Sequence, residues 1–597
     1  MGTIKGGEFL IKEIKSEEIF ISEEFSEEQK MMKDAVIEFI DREVWPQRER
    51  FENKDYALTE EVMRKAGEMG FLGVSIPEEY GGIGMGFVST MLVTDYISSA
   101  TGSVGTAFGA HTGIGTMPIF LYGTEEQKQK YLPLLTSGEK FGAYCLTEPG
   151  AGSDANSGKT TAELTADSKH YKINGQKMWI SNAGFAEIFI VFGRIEKDKN
   201  ITAFILDFDK NNPNGVTLGE EEHKLGIISS STRQVFFNDT LIPVENMLAE
   251  RGAGFKIALN SLNVGRIKLG AACLDASRRI ITESVKYGNE RIQFKTAISN
   301  FGAIQKKYAE MSAKTFALDA GCYRSAKDIQ NMIDELLAEG KSHQEAELTA
   351  FSEYAIECAI IKVFGSEVSQ FVSDEGIQIF GGMGFSKDTP MESAWRDARI
   401  TRIYEGTNEI NRLLTVGMLL KKAMKGEIDL ITPAMEVGSS LMGIPSFDTP
   451  DFSELLSEEK AMITKLKNAF LMIAGKAVQT YGMDLDNHQQ LILAAAEVMI
   501  EIYMAESALL KAEKIVKLTS EKESEIQVAM AKLNLFNAIE KINSFGKEAV
   551  LYLSEGDEQR MMLMGLKRFT KYVNNPNPIA LRQVIAKKII AESKYCF

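Results

Sequence analysis

Two stretches of this chain set reactive residue types beside glycines. The first runs Ala143-Tyr144-Cys145-Leu146-Thr147-Glu148-Pro149-Gly150-Ala151-Gly152-Ser153-Asp154 and passes from strand-like residues into a glycine-rich turn. Small residues there let backbone amides approach a bound phosphate or an aromatic ring. Gly150 to Ala155 also fits a loose GxGxxA dinucleotide fingerprint. That fingerprint has meaning only inside a βαβ unit, and a polar stretch follows here, so a plain structural turn competes with a binding loop. The second stretch runs from Gln378-Ile379-Phe380-Gly381-Gly382 through Arg396, Arg399 and Arg402 to Tyr404-Glu405-Gly406-Thr407-Asn408. Arginines three apart share a helix face and read as structural ion pairs. Glu405 differs, because it stands between an aromatic residue and a glycine with Thr407 placed to cap a following helix. A carboxylate can project from such a loop as a base while neighbouring free amides receive an anion; the competing reading is a solvated surface charge.

Other chemistries are disfavoured. The five histidines (His111, His170, His223, His343, His488) form no HxH or HxxxH pair, so no metal constellation is visible. Five scattered cysteines without a CxxC suit a reducing cytosol rather than a disulfide framework or a zinc site. The balance of 67 basic and 83 acidic residues, a net charge of −16, repels phosphate backbones and argues against nucleic acid as a partner. The N-terminus turns acidic at once and lacks an apolar h-region, and no apolar run spans a bilayer, so the expected location is cytoplasmic.

A chain of 597 residues needs several domains to hold such segments in place. Helical spacing governs residues 26–140, with stripes Met32, Val36, Phe39, Ile40 and Val62, Ala66, Met69, and Ser26 with Gln29 as a capping pair. Ile76 to Gly86 is loop chemistry. Residues 141–250 switch to strand-like runs, and Asn174-Gly175 predicts a hairpin turn. Helices return over 251–424, with Phe255, Leu259, Leu262 and Leu269 as a stripe. Residues 425–455 read as a linker and 456–597 as a further helical domain. The fold class is therefore α+β, mainly α.

The motifs together resemble a known family. LTEPGAGSD (Leu146 to Asp154), KMWISN (Lys177 to Asn182), ERIQF (Glu290 to Phe294), QIFGGMGF (Gln378 to Phe385) and RIYEGTNEINR (Arg402 to Arg412) are similar, in order, to the signatures of the flavin-dependent acyl-CoA dehydrogenases. The resemblance covers about residues 26–420. Ser299 to Met311, Asn263-Val264-Gly265 before Arg266, and the helical C-terminal extension resemble the very-long-chain branch. The resemblance implies a middle β-barrel or sandwich domain followed by a four-helix bundle.

It also implies FAD as cofactor and conversion of long-chain acyl-CoA to trans-2-enoyl-CoA in fatty-acid β-oxidation. Glu405 matches the base, which takes the pro-R α-proton as the β-hydrogen leaves as hydride to flavin N5. Gly265 holds the position some relatives use for the base and has no carboxylate. The implied donors to the thioester oxygen are Glu405 N–H and the ribityl 2′-hydroxyl. For the flavin, the matching residues are Tyr144, Leu146, Thr147, Gly152 and Ser153, with Trp179, Ile180 and Ser181 over the ring. Arg291, Gln378, Gly381, Gly382, Gly406, Thr407 and Asn408 match the adenine dinucleotide contacts, partly across a subunit boundary. Ser153, Asn263, Arg266 and Tyr404 match substrate positions.

Gly105 and Gly109 lie in the segment that floors the family's acyl pocket, where missing side chains leave room for a long tail or serve close helix packing. Implied partners are acyl-CoA, an electron-transfer flavoprotein and a second copy of the chain, the extension standing where tetrameric members place a second dimer. The rival readings are an acyl-CoA oxidase reoxidised by O₂ and a flavoprotein with an assembly or membrane-docking role. In the latter, Leu456, Met462, Leu466, Phe470 and Ile473 would line a surface rather than a bundle core.

Overall fold

The computed structural model describes residues 4–441 and 452–597. Ser26 opens the helix Glu27–Phe39 with a reciprocal cap: Gln29 N donates to its hydroxyl at 3.2 Å, and Ser26 N donates to Gln29 Oε1 at 3.1 Å. Val36, Phe39 and Ile40 on its stripe are buried, while Met69 at the end of the helix Tyr56–Glu68 is exposed. Loop and one short turn follow Ile76, and then the helices Gly86–Ile97 and Gly102–Gly109.

The middle of the chain is a mixed eight-stranded sheet. Its strands are β1 (Gly142–Cys145), β2 (Thr161–Leu164), β3 (His170–Ser181), β4 (Ile188–Ile195), β5 (Thr202–Asp207), β6 (Val216–Glu221), β7 (Thr232–Pro243) and β8 (Met247–Leu248). They run in the order β6-β7-β3-β2-β4-β5-β8, with β1 parallel to β4. The hairpin expected at Asn174-Gly175 does not form. Residues on both sides of it belong to one strand, β3, and pair with the same neighbour, β7, across an irregularity. Asn174 spends its amide on Asp239, donating from Nδ2 at 2.9 Å and accepting from Asp239 N at 2.8 Å. Gly175 is needed for close approach instead of a turn, since a Cβ there would lie 2.8 Å from Thr160 Cα.

The helices Gly254–Ala272, Leu274–Glu290, Gly302–Ala338, Ala355–Phe380 and Asn408–Met424 form the body behind the sheet. The stripe expected on the first of these is only partly its core face: Leu269 is buried, and Phe255 and Leu262 are half-buried. Leu259 is exposed, and Ile257, Ala258, Ser261, Val264 and Ile267 are buried, because helices of both the N-terminal region and the bundle pack around it.

The extension comprises the helices Ser457–Tyr481, Gln489–Leu518, Glu525–Leu553, Gly556–Phe569 and Pro578–Glu592. Leu456, Met462, Leu466, Phe470 and Ile473 are all buried, so that stripe is bundle core and not a docking surface. Within the expected linker, Ile431–Ser440 is a helix packed on Ser457–Tyr481; residues 442–451 of it lie outside the described residues.

One element escaped the sequence. The acidic N-terminal segment buries Phe9, Leu10, Ile14, Ile19 and Ile21 and runs along the extension. Lys467 Nζ donates to Lys12 O at 2.7 Å, Lys514 Nζ to Ile19 O at 2.5 Å and Lys517 Nζ to Ser16 Oγ at 2.8 Å. Among the described residues, no helix is long and apolar enough to cross a membrane.

Candidate active site

The loop between the helices Met391–Ile400 and Asn408–Met424 carries Glu405. Thr407 caps the second helix, its hydroxyl accepting from Ile410 N at 3.3 Å, as the sequence predicts. Two consecutive residues before the cap, Glu405 (φ 58°) and Gly406 (φ 82°), are left-handed. For a glutamate this backbone costs roughly 1–3 kcal/mol and persists only where surroundings hold it. The surroundings are explicit. Asn411 Nδ2 donates to Gly406 O at 2.8 Å and Thr407 O at 3.1 Å, Lys362 Nζ donates to Gly406 O at 2.7 Å, and Arg266 Nε donates to Glu405 O at 3.3 Å. The turn sends the carboxylate inward over Gly265, where a Cβ would sit 2.6 Å from Glu405 Oε2. Gly265 is thus required for the glutamate to reach its place.

Glu405 Oε2 is buried without a hydrogen-bond partner. Loss of water pushes this carboxyl up to about 7, against the opposing pull of the Arg266 and Lys362 cations. A carboxylate poised near neutrality in a water-poor site is suited to removing a proton from a weak carbon acid. Its own backbone N–H meets no acceptor among the described residues.

The strand-to-turn segment lies at the same place in the fold. Tyr144, on β1, is buried with its hydroxyl unpartnered, and the Glu405 charge helps hold that phenol well above its usual range, after burial. Leu146 is buried, and Met178 N donates to Thr147 O at 2.9 Å, tying the LTEPGAGSD turn to β3. An irregularity between Lys177 and Ile180 breaks the β3–β7 register. Trp179 there takes φ 61° and lies exposed, while Ile180 turns into the core and Ser181 is half-buried. Gly152 and Ser153 are exposed, and a Cβ on Gly150 or Gly152 would meet nothing within 4 Å. A planar ring system with a phosphate tail fits this arrangement: an unpartnered hydroxyl inside, an indole outside and open backbone beyond.

The residues matched to the adenine portion divide. Arg291 ends the helix Leu274–Glu290, and Gln378, Gly381 and Gly382 end the helix Ala355–Phe380; all four are exposed. The two helix ends are joined by Tyr287 stacked on Phe380, with ring centroids 4.1 Å apart. Asn408, by contrast, turns into the protein: its side chain bonds Lys362 Nζ (2.8 Å), Ser366 Oγ (3.1 Å) and Glu367 Oε1 (3.1 Å), leaving none of it toward a ligand. Gly406 and Thr407 shape the base loop.

Among the residues matched to substrate, Tyr404 is half-buried beside the base. Asn263 and Arg266 are deeply buried, and Arg266 Nη1 donates to Asn263 Oδ1 at 2.9 Å. Arg266 stands close enough to Glu405 to favour its charged form, with Asn263 bonded behind it. Gly105 and Gly109 separate as well. A Cβ at Gly105 would lie 3.0 Å from Ser98, which is close packing, whereas Gly109 and Gly113 face open space.

Two groups were missed. Lys362, in the apolar run Ala359-Ile360-Ile361-Lys362-Val363-Phe364, is fully buried beside the base loop; a lone lysine in such a run is the signal. The buried Lys177–Glu148 pair, at 2.7 Å, anchors the glycine-rich turn, with Glu148 also accepting from Lys159 N and Thr160 N. Of the three arginines, Arg396 makes the expected ion pairs, to Glu392 and Glu52, while Arg399 Nη1 and Arg402 Nε are buried without a partner.

Acyl-CoA dehydrogenase family models match residues 26–139 (N-terminal domain), 143–240 (middle domain), and 252–419 and 465–568 (C-terminal domains). A probable acyl-CoA dehydrogenase of Bacillus subtilis is 40% identical over 591 residues, 99% of this chain and 98% of that protein. The human mitochondrial very long-chain specific acyl-CoA dehydrogenase is 39% identical over 63% of this chain and 54% of its own length. The crystal structure of an acyl-CoA dehydrogenase complexed with FAD from Bacillus anthracis superposes with a TM-score of 0.95 at 42% identity, covering 100% of both chains. Butyryl-CoA dehydrogenase from Megasphaera elsdenii matches 66% of this chain and 99% of its own, with a TM-score of 0.60 and 35% identity. With a glutamate whose Oε2 is buried over a glycine, its motifs in order and full-length similarity at this level, the chain belongs to the acyl-CoA dehydrogenase family.

Proposed function

We propose that this protein is an FAD-dependent acyl-CoA dehydrogenase that desaturates long-chain acyl thioesters at the α,β position in fatty-acid β-oxidation. The observation that carries the reading is the Glu405 carboxylate, turned inward over Gly265 with Oε2 unpartnered. FAD, when bound, supplies the hydride acceptor. The chain supplies the rest. Glu405 Oε2 takes the α-proton, and the Glu405 N–H, which meets no acceptor among the described residues, is placed to donate to the thioester oxygen on which negative charge develops. Tyr144, Leu146, Thr147, Trp179, Ile180 and Ser181 hold the ring, and Gly152 and Ser153 present backbone toward phosphate. Ionised Glu405 is the active form, so activity rises with pH through about 7.

The long tail finds space at Gly109 and Gly113. Arg291, Gln378, Gly381 and Gly382 stand beside the exposed Ile292, Phe294, Met383 and Phe385, of which Phe294 is 90% and Phe385 86% exposed. Uncovered apolar side chains around a nucleotide site suit a second copy completing it, so we read the protein as a homodimer whose other faces are covered by the extension. Electrons leave to an electron-transfer flavoprotein. Four of the five free cysteines are buried, in keeping with a cytoplasmic, reducing address.

The test is anaerobic titration of flavin-loaded protein with acyl-CoAs of graded length, following flavin absorbance. Wild type bleaches, with long chains preferred. Glu405→Gln retains flavin and loses turnover by roughly 10²–10⁴-fold. Bleaching undiminished in the variant would remove Glu405 from the chemistry.

A further inference from the structure

Lys362 stands two turns into the helix Ala355–Phe380 with no exposed surface. A lysine in such a place is costly unless its ammonium is fully used. Two of its donors go to the loop that carries the proposed base: Gly406 O at 2.7 Å and Asn408 Oδ1 at 2.8 Å. Neither acceptor is a carboxylate. Asn408 is itself pinned to Ser366 and Glu367, so the acceptors are presented to the ammonium by a fixed frame. Gly406 O belongs to the second of the two left-handed residues, and a left-handed glutamate relaxes unless neighbouring groups oppose it.

We propose that Lys362 is a positioning residue for the base: its ammonium grips the Gly406 carbonyl, holds the left-handed Glu405–Gly406 pair, and so aims the carboxylate across Gly265. This rests on the reading of Glu405 as the base. The same ammonium is a charge in the neighbourhood of the carboxylate. Glu405 faces Arg266 from the helix Gly254–Ala272, Lys362 from Ala355–Phe380, Tyr144 from β1 and Tyr404 from its own loop. Around Lys362 stand Glu405, Arg266, Cys273 and Glu409, and burial brings the ammonium down to about 8. Arg266 is shared by both groups, so removing Lys362 leaves one cation to favour the ionised base. The base then ionises at higher pH.

The experiment uses the full-length, flavin-loaded protein and the pH dependence of kcat and KM with one long-chain acyl-CoA. Lys362→Met is expected to lower kcat at every pH by loosening the base loop and, in addition, to move the acid limb upward by about one pH unit, so that the loss is about tenfold greater at pH 6.5 than at pH 9. KM should stay within about twofold, because no contact to substrate is removed. Ser366→Ala, which loosens Asn408 without touching the ammonium, should leave the limb in place. Lys362→Arg keeps a cation and should hold the limb at the wild-type position with reduced kcat; it also carries the test if Lys362→Met does not fold. An unmoved limb in Lys362→Met, a loss equal at every pH, or a limb displaced in Lys362→Arg each overturns the proposal. Activity surviving in Glu405→Gln would instead overturn the functional reading on which it stands.

Discussion

At the scale of single residues, Glu405 and Lys268 each lack a neutralising partner in hydrogen-bond contact, and the two have opposite consequences. Glu405 is raised to about 7 by burial. Between the ordinary carboxylate value and 7 the folded chain holds a proton that the unfolded chain has lost, so stability falls as pH rises through that window. Glu405→Gln should remove this slope and stabilise the protein above pH 7, while abolishing activity. Denaturation midpoints at pH 5 and pH 8 check it, and an unaltered slope counts against a desolvated base. Lys268 lines a cavity of mostly apolar walls between Phe71, Phe87, Phe108 and Val264, and its one hydrogen bond, at 2.6 Å, goes to Thr112 Oγ1. Burial lowers this lysine to about 7. Here the unfolded chain binds the extra proton between pH 7 and about 10.5, so stability rises with pH over that window. Lys268→Met should therefore raise stability at pH 7 by on the order of 1 kcal/mol or more and flatten the alkaline slope. Melting curves at pH 7 and pH 9.5 test both parts.

At the scale of elements, the proposed function assigns the acyl tail to the helix Gly102–Gly109 and the turn of wide helix after it, Ala110–Gly115. Gly105 packs on Ser98, so its missing side chain serves helix contact. Gly109 faces open space, and it is the position at which a side chain fills volume without a clash. Gly109→Leu should shift the preferred acyl length downward by several carbons, with kcat/KM for the longest substrates falling at least tenfold and that for short ones little changed. A chain-length profile that keeps its shape would take Gly109 out of the pocket. Strand β3 shows a related economy: one irregularity accommodates Gly175 against Thr160 and another turns Trp179 outward with left-handed backbone. Sheet irregularities of this kind re-aim a side chain at a site without ending the strand.

On the scale of the whole molecule, the two ends of the chain meet. Phe9 packs edge-on against Tyr503 of the extension, with ring centroids 4.8 Å apart, and the lysines of the helices Ser457–Tyr481 and Gln489–Leu518 take the carbonyls of the N-terminal segment. Arg324 and Glu506 (3.1 Å) and Arg412 and Glu497 (2.5 Å) join the bundle to the same extension. Phe9→Ala should therefore destabilise the protein by about 3–5 kcal/mol, measured by urea denaturation, and make the C-terminal helices more open to protease. A cost below about 1 kcal/mol would mean that the N-terminal segment merely lies on the surface.

Local chemistry was legible before any fold. Ser26 with Gln29, Thr407 before its helix, the period change near residue 141 and Glu405 between an aromatic residue and a glycine are all short-range facts, set by caps, propensities and the motif order. Contacts across the chain were not. Asn174-Gly175 carries the local signal of a hairpin, yet both flanks found the same partner strand, β7. Leu259 has helical spacing but faces outward, because a helix enclosed on several sides has no single apolar stripe. Asn263 and Arg266 sit one turn apart in sequence, and only packing shows that Arg266 holds the Glu405 carbonyl with Asn263 bonded to it. The residue types and their order thus determined which group can take a proton. Tertiary structure decided that its Oε2 is buried, its backbone left-handed and its loop held by Lys362, which bonds Gly406 from 44 positions away, since burial and through-space charge depend on neighbours that the linear chain does not bring together.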